Sequence, residues 1–333
     1  MKPGRNRKRW LIWLVMLGAA NAALLVLNLM LGERNIPMPD TVATLLGMSS
    51  GEYRFTVMNL RLPRAIGALL TGCALALSGV ILQAITGNPL ASPGVMGLNA
   101  GAAAAAVAVI VLVPSLPAAA LPFAAFAGAL LAASLIYTLS WRRGSSPARM
   151  LLVGIGISAM AGAAITYLMT IGGIFRVTQA STWMAGSLYG RSWDQVLPLL
   201  PWIVVLFPLA LRMASSLDAF QLGDAGAIGL GVPLERSRGL LILISVGLAG
   251  AAVSVAGTVS FIGLMAPHLA RRLVGNRSFR LLPAAGLMGG ALLLLSDLLG
   301  RTAFAPYEIP VGLITALIGA PFMIYLLLRR KPL

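Results

Sequence analysis

The sequence predicts an all-α polytopic membrane protein with about ten transmembrane helices and both termini in the cytoplasm. Three observations predict it. Of 333 residues, 59% are hydrophobic and only 10% charged; soluble domains carry about 25% charged residues, so this chain cannot cover a water-facing surface. Apolar runs close to the roughly 20 residues that cross the hydrocarbon recur from one end to the other. The Lys and Arg residues sit in short clusters between those runs, where a membrane topology needs them.

The first run, residues 10–31, follows the basic stretch MKPGRNRKRW. Ala20-Asn21-Ala22 imitates a cleavage site, but the apolar part of a cleaved signal is about 7–15 residues long, so this run is read as a retained helix. The next spans are 64–84, 94–113, 119–140, 149–171, 195–212, 238–256, a short one over 258–269, 282–300 and 309–328. With the amino terminus inside, eighteen basic residues fall on inner segments: Lys2, Arg5, Arg7, Lys8, Arg9, Arg142, Arg143, Arg149, Arg212, Arg236, Arg238, Arg271, Arg272, Arg277, Arg280, Arg329, Arg330 and Lys331. Seven fall outside: Arg34, Arg54, Arg61, Arg64, Arg176, Arg191 and Arg301. Omitting the short eighth span would move the Arg271 to Arg280 cluster outside, so the asymmetry retains it.

Small residues line two of the spans. Gly72, Ala76, Gly79 and Gln83 share a face of the second, and Gly154, Ser158, Gly162 and Thr166 repeat every four along the fifth. Such faces let backbones approach closely. Two readings stand for them: tight helix packing, or the border of a central substrate pathway.

Three segments cannot be continuous spans. In SLDAFQLGDAGAIGLGVPLERSR, Ser216 to Arg238, the carboxylates Asp218, Asp224 and Glu235 would each cost about 3 kcal/mol at the bilayer centre. The segment therefore lies on the cytoplasmic side as short helices, with Ser216 a candidate cap and Gly223, Gly229, Gly231 and Pro233 as breaks. It suits either the docking of a partner protein or simple anchoring at the interface. In Gln83 to Ala102, Asn88-Pro89 and Ser92-Pro93-Gly94 enforce an irregular connection. Outside, the polar loop Glu33 to Asn59 leads into Arg61 and Arg64, which either anchor the helix in the headgroup layer or offer charge to an acidic partner.

Asp297 and Arg301 are four apart near the outer end of the ninth span and can pair, which favours a structural Asp297 over a proton carrier. The net charge of +16 lies in these topological clusters with no basic stripe interleaved with aromatics, which argues against nucleic acid. Cys73 is the single cysteine and His268 the single histidine, so neither a disulfide within the chain nor a metal-ligand cluster can be built. No GxxxxGK[ST] occurs and the lysines are all terminal, so nucleotide phosphates are not held by a P-loop of this chain. Catalysis is not expected of it.

The ordered motifs RLPR (61–64), SGVILQAITGNPLASPGVMGLNAGA (78–102), LGDAGAIGLGV (222–232), FIGLMAPHLAR (261–271) and EIPVGLITALIGAPFMIYLL (308–327) resemble the FecCD family. These are membrane permeases of binding-protein-dependent ABC importers for ferric siderophores, haem and cobalamin. The resemblance implies one permease domain over residues 1–333 with the type II ABC importer architecture, in the cytoplasmic (inner) membrane of a bacterium. It implies two permease subunits, a heterodimer rather than a homodimer, two cytoplasmic P-loop ATPases holding ATP and Mg, and an extracytoplasmic substrate-binding protein. No cofactor is expected on this chain.

By the same resemblance, residues 214–237 hold the coupling helix, with Leu222, Gly223, Asp224, Ala227, Leu230 and Gly231 seated on the ATPase. Arg61, Arg64 and Arg301 match positions that meet acidic residues of the binding protein. Gln83, Gly154, Ser158, Gly162, Thr166 and Trp183 are pathway or gate candidates. Pro147-Ala148 departs from the small hydroxylated residues frequent in relatives at the inner gate, so gate contacts are not carried over there. Asn88, Pro89, Pro267, His268, Arg271 and Asp297 are structural candidates: Pro267 is expected to interrupt the eighth span, and His268 to hold its inner end against the coupling region. NPLASPGVMGLNAGA, WMAGSLYGRSWDQV and LGVPLERSR look most like siderophore permeases, with haem or cobalamin the alternative cargo. The rival from another class is an ATP-independent secondary transporter, which would need Asp297 as its intramembrane acid.

Overall fold

The computed structural model describes residues 3–48, 51–117, 119–142 and 144–329. Lys2, Arg143, Arg330 and Lys331, counted above among the inner charges, lie outside the described residues. No strand occurs among the described residues. In order, the helices are α1 (Pro3–Met30), α2 (Met38–Leu45), α3 (Leu62–Thr86), α4 (Leu98–Leu112), α5 (Ala120–Ser140), α6 (Pro147–Ile171), α7 (Ile174–Met184) and α8 (Trp193–Val196). They continue with α9 (Leu199–Arg212), α10 (Ala214–Phe220), α11 (Gly223–Gly229), α12 (Leu234–Ala256), α13 (Ile262–Val274), α14 (Ser278–Thr302) and α15 (Val311–Arg329).

Among the described residues, seven stretches are long and apolar enough to cross a membrane: Arg9–Met30, Thr56–Thr86, Ala120–Ser140, Pro147–Ile171, Trp193–Arg212, Leu234–Ala256 and Ser278–Thr302. The shorter apolar helices α4 and α15 and the thirteen-residue α13 occupy the other three positions expected from the sequence. The second span begins earlier than expected, because a wide turn over Thr56–Arg61 runs directly into α3. The sixth is divided at Leu197 and Pro198 into α8 and α9.

Burial sorts these helices into a centre and a rim. In the apolar stretch of α3, 78% of residues are buried, as are 72% in α12 and 67% in α14, against 11% in α6. Lipid offers no hydrophobic drive between helices, so the centre depends on close backbone approach and internal polar bonds. A Cβ on Gly72 would lie 2.2 Å from the Gly289 carbonyl oxygen of α14, and one on Gly79 would lie 2.0 Å from the Gly263 oxygen of α13. Ser78 and Ser245 join α3 to α12 through hydroxyls 2.7 Å apart. On the rim, α1 is tied to α14 by its two buried asparagines, Asn21 donating to the Leu287 carbonyl at 2.9 Å and Asn28 to that of Leu294 at 3.2 Å.

One expectation is corrected at α13. Pro267 does not interrupt the helix, which runs unbroken from Ile262 to Val274. A proline within a helix leaves the carbonyl four residues earlier without its donor; here that carbonyl belongs to Gly263, and the Gln83 amide donates to it at 3.2 Å. Arg271, one turn beyond Pro267, in turn donates to the Gln83 side-chain oxygen at 2.5 Å. The ring of His268, next to Pro267 along the helix, meets Phe322 of α15 edge-on, with centroids 5.9 Å apart.

Candidate functional site

Three places hold the residues singled out in the sequence. The first is the segment between α9 and α12. Ser216, expected as a cap, lies inside α10, which follows α9 after the single residue Met213 and needs no new cap. Asp218 serves that purpose elsewhere, accepting the Ser278 backbone N–H at 2.7 Å at the start of α14. Gly223 and Gly231 take left-handed φ values of 82° and 78° at either end of α11, where a side chain would be strained.

Between them α11 turns Ala227 inward, fully buried, and leaves Leu222, Ile228 and Leu230 exposed at 68%, 60% and 64%. Three large exposed apolar side chains, one on this seven-residue helix and one at each cap, form a contiguous apolar surface of the kind that marks an interaction site. Asp224 ion-pairs with Arg238 of α12, whose side chain is completely buried. Arg238 also donates to Ser145 in the α5–α6 turn, to the carbonyl at 2.8 Å and the hydroxyl at 2.9 Å, and lies over the Phe220 ring at 5.3 Å. Glu235, one turn earlier, accepts the Ser145 hydroxyl at 2.7 Å and its N–H at 3.1 Å. Ser145, Glu235 and Ile228 were not among the expected site residues, and Arg238 was counted only as a topological charge.

The second place is the outer end of α3 and α14. Asp297, 1% exposed at its side chain, accepts from Arg64 Nε at 3.0 and 3.1 Å and lies 3.9 Å from Arg301 Nε. Arg64 also reaches Glu308 at 2.9 Å. Arg61 donates to the carbonyls of Leu29 at 2.7 Å, Met30 at 2.9 Å and Arg34, so it closes the carboxyl end of α1, where carbonyls lack helical donors. Arg301 donates to the Asn28 carbonyl and side-chain oxygen.

The expectation that Arg61 and Arg301 hold their charge out to a partner does not describe their side chains, which are more than nine-tenths buried in internal bonds. Together with Arg64, Arg191, Glu33, Tyr189 and Glu308 they line an outward cleft of about 350 Å³. Arg191, in the turn before α8, is held below the ordinary guanidinium range by burial.

The third place is α6 and the irregular segment 87–97. A Cβ on Gly154 would lie 2.7 Å from the Met96 carbonyl oxygen, and Ser158 bonds back to the Gly154 carbonyl at 2.8 Å, so the inner half of the α6 stripe packs against that segment. Nothing lies within 4 Å of a Cβ on Gly162, and Thr166 is exposed, so the outer half is open. Ile155, Met160, Tyr167 and Ile171 extend this open apolar face. In the irregular segment the side-chain oxygen of Asn88 accepts the Leu90 N–H at 2.9 Å beside Pro89.

Two pathway candidates are corrected. Gln83, 4% exposed, is committed to α13 as described above, and Trp183, 6% exposed, packs inward with Leu168, Ala180 and Val253.

The chain matches the FecCD transport family over residues 20–329. It is 42% identical over 326 residues to the Fe(3+)-citrate import system permease protein YfmE of Bacillus subtilis (strain 168), covering 98% of this chain and 97% of that one. It is 41% identical over 315 residues to the hemin transport system permease protein HmuU of Yersinia pestis, covering 92% and 94%. A solved structure presented as an inward-facing ABC transporter of the metal-chelate type superposes with a TM-score of 0.85 at 28% identity, covering 95% of this chain and 98% of that one.

Proposed function

The chain belongs to the FecCD transport family, and from that premise we propose that it imports a ferric siderophore, as one of two permease subunits around a central pathway. A multi-pass ABC-type permease is a transport component, not an enzyme. In this reading the energy comes from ATP hydrolysed with Mg on two partner ATPases, the cargo is delivered by an extracytoplasmic binding protein, and the membrane is the bacterial cytoplasmic one.

The observation that carries the reading is the exposed apolar surface of Leu222, Ile228 and Leu230 on and beside α11. It supports an ATPase partner. The open face of α6 supports a second permease subunit, a heterodimer in our reading, with the pathway between the two copies of that face. The cleft lined by Arg64 and Arg191 supports docking of acidic side chains from the binding protein.

Replacing Leu222 and Leu230 with Ser is expected to reduce co-purification of the ATPase at least tenfold while the permease stays folded, since both side chains are exposed. Undiminished co-purification would remove α11 from the interface. Uptake in proteoliposomes holding the complete transporter decides the cargo: ATP-dependent accumulation of a ferric siderophore supports the reading, and accumulation only of haem or cobalamin replaces it. Uptake that follows a proton gradient without ATP would put the chain in another class of transporter.

A further inference from the structure

We propose that Arg238 is a positioning residue: a buried strut that transmits movement of α11 to the foot of α6. The inference rests on the reading that α11 seats on an ATPase. α11 packs chiefly against α10 and α12, with Ala227 its apolar anchor in the core. Its charged tie is Asp224, and that tie ends on Arg238.

Arg238 does not stop at the carboxylate. Its other terminal nitrogen donates to both oxygens of Ser145, two residues before α6 begins at Pro147. Glu235 accepts from the hydroxyl and N–H of the same serine. The first turn of α12 therefore clasps the foot of α6 with one acid and one base three residues apart, neighbours on a helix surface. Gly144 makes the clasp possible, with φ of 127° and space for a Cβ only 3.2 Å from the Glu235 carboxylate.

A guanidinium suits this task because its planar fork fixes two directions of donation at once, one toward Asp224 and one toward Ser145, whereas an ammonium is a point charge on a flexible stem. The guanidinium is fully buried and its Ser145 end is dry, while the Asp224 carboxylate at the other end is 44% exposed. A displacement of Asp224 is then passed to the serine by a rigid, bonded group. The helix that receives it is the one with the open face, 11% of its apolar stretch being buried within the chain.

The test uses the complete transporter in proteoliposomes and reads cargo moved per ATP hydrolysed, with the melting temperature of each variant. Arg238→Met is expected to keep ATPase activity and lower the transport ratio at least tenfold. Arg238→Lys is expected to recover part of it, and Ser145→Ala, which removes only the hydroxyl, to lower it a few-fold with little change in melting. Spin labels on exposed Leu152 of α6 and Met16 of α1 give a second readout: their distance should change on ATP binding in the native chain and stay fixed in Arg238→Met.

A native transport ratio in Arg238→Met, or an unchanged ATP-driven distance shift, overturns the strut. Melting that falls in step across all three variants while the ratio holds overturns it too, leaving a purely structural ion pair. Failure of the native chain itself to couple to an ATPase overturns the docking reading beneath it, so the two failures are distinguishable.

Discussion

Gly79→Ala is expected to leave almost no folded protein in the membrane. The added Cβ would meet the Gly263 backbone of α13 at 2.0 Å from its oxygen, 2.7 Å from its carbonyl carbon and 2.8 Å from its Cα. Overpacking costs typically about 1–3 kcal/mol where side chains can yield; here the obstacle is backbone, so the cost lies at or above the upper end of about 3 kcal/mol. Moving α13 outward offers no escape. The Gln83 amide that satisfies the Gly263 carbonyl is one turn along from Gly79 and would lose its 3.2 Å bond. Gly162→Ala on α6 is the matched control, because nothing lies within 4 Å of its Cβ. Alanine gains up to about 1 kcal/mol of helix propensity over glycine, so its melting temperature should hold or rise. Size-exclusion profiles and melting curves of the two variants in detergent check both, and equal tolerance would sink the packing account of α3.

Asp297→Asn is expected to destabilise the chain by about 3–5 kcal/mol, the range for removing one partner of a buried pair. The carboxylate is 1% exposed and faces Arg64 and Arg301, themselves 12% and 6% exposed. Without it, Glu308 is the remaining carboxylate against those arginines. Glu308 is a third exposed, so Glu308→Gln should cost no more than about 1 kcal/mol. Thermal melts of the purified variants provide the comparison. A proton carrier at Asp297 would show the opposite pattern, with intact folding and lost uptake.

Hydropathy revealed the spans because lipid at the rim and packed helices at the centre exclude charge alike, so α3, 78% buried in its apolar stretch, reads as apolar as α6 at 11%, and the carboxylates between α9 and α12 marked that segment as lying outside the hydrocarbon. Asn-Pro and Ser-Pro-Gly likewise announced the irregular connection after α3, where the backbone departs from the helix. What stayed hidden was the destination of polar groups. Gln83 stands at small-residue spacing, and that spacing is the same whether the face meets a pathway or another helix. Pro267 reads as a break until the donor for its orphaned carbonyl is known, and that donor is 180 residues away. Arg238 reads as one more inner-side charge, since nothing local distinguishes a buried guanidinium from a solvated one. Arg61 and Arg301 read as docking charges because the carbonyls they cap come from the far end of α1.

The central position of α3 has a consequence in time. Arg64 is 233 residues ahead of Asp297, and at about 5–20 residues per second of synthesis the arginine waits roughly ten to fifty seconds for its counter-ion. The glycine faces of α3 wait similarly for α13 and α14. Meanwhile Arg64 can keep its charge in the outer headgroup layer by extending its aliphatic stem. The helix that ends up most enclosed is therefore among the first inserted and the last secured, and assembly of the bundle is completed from its carboxyl-terminal third.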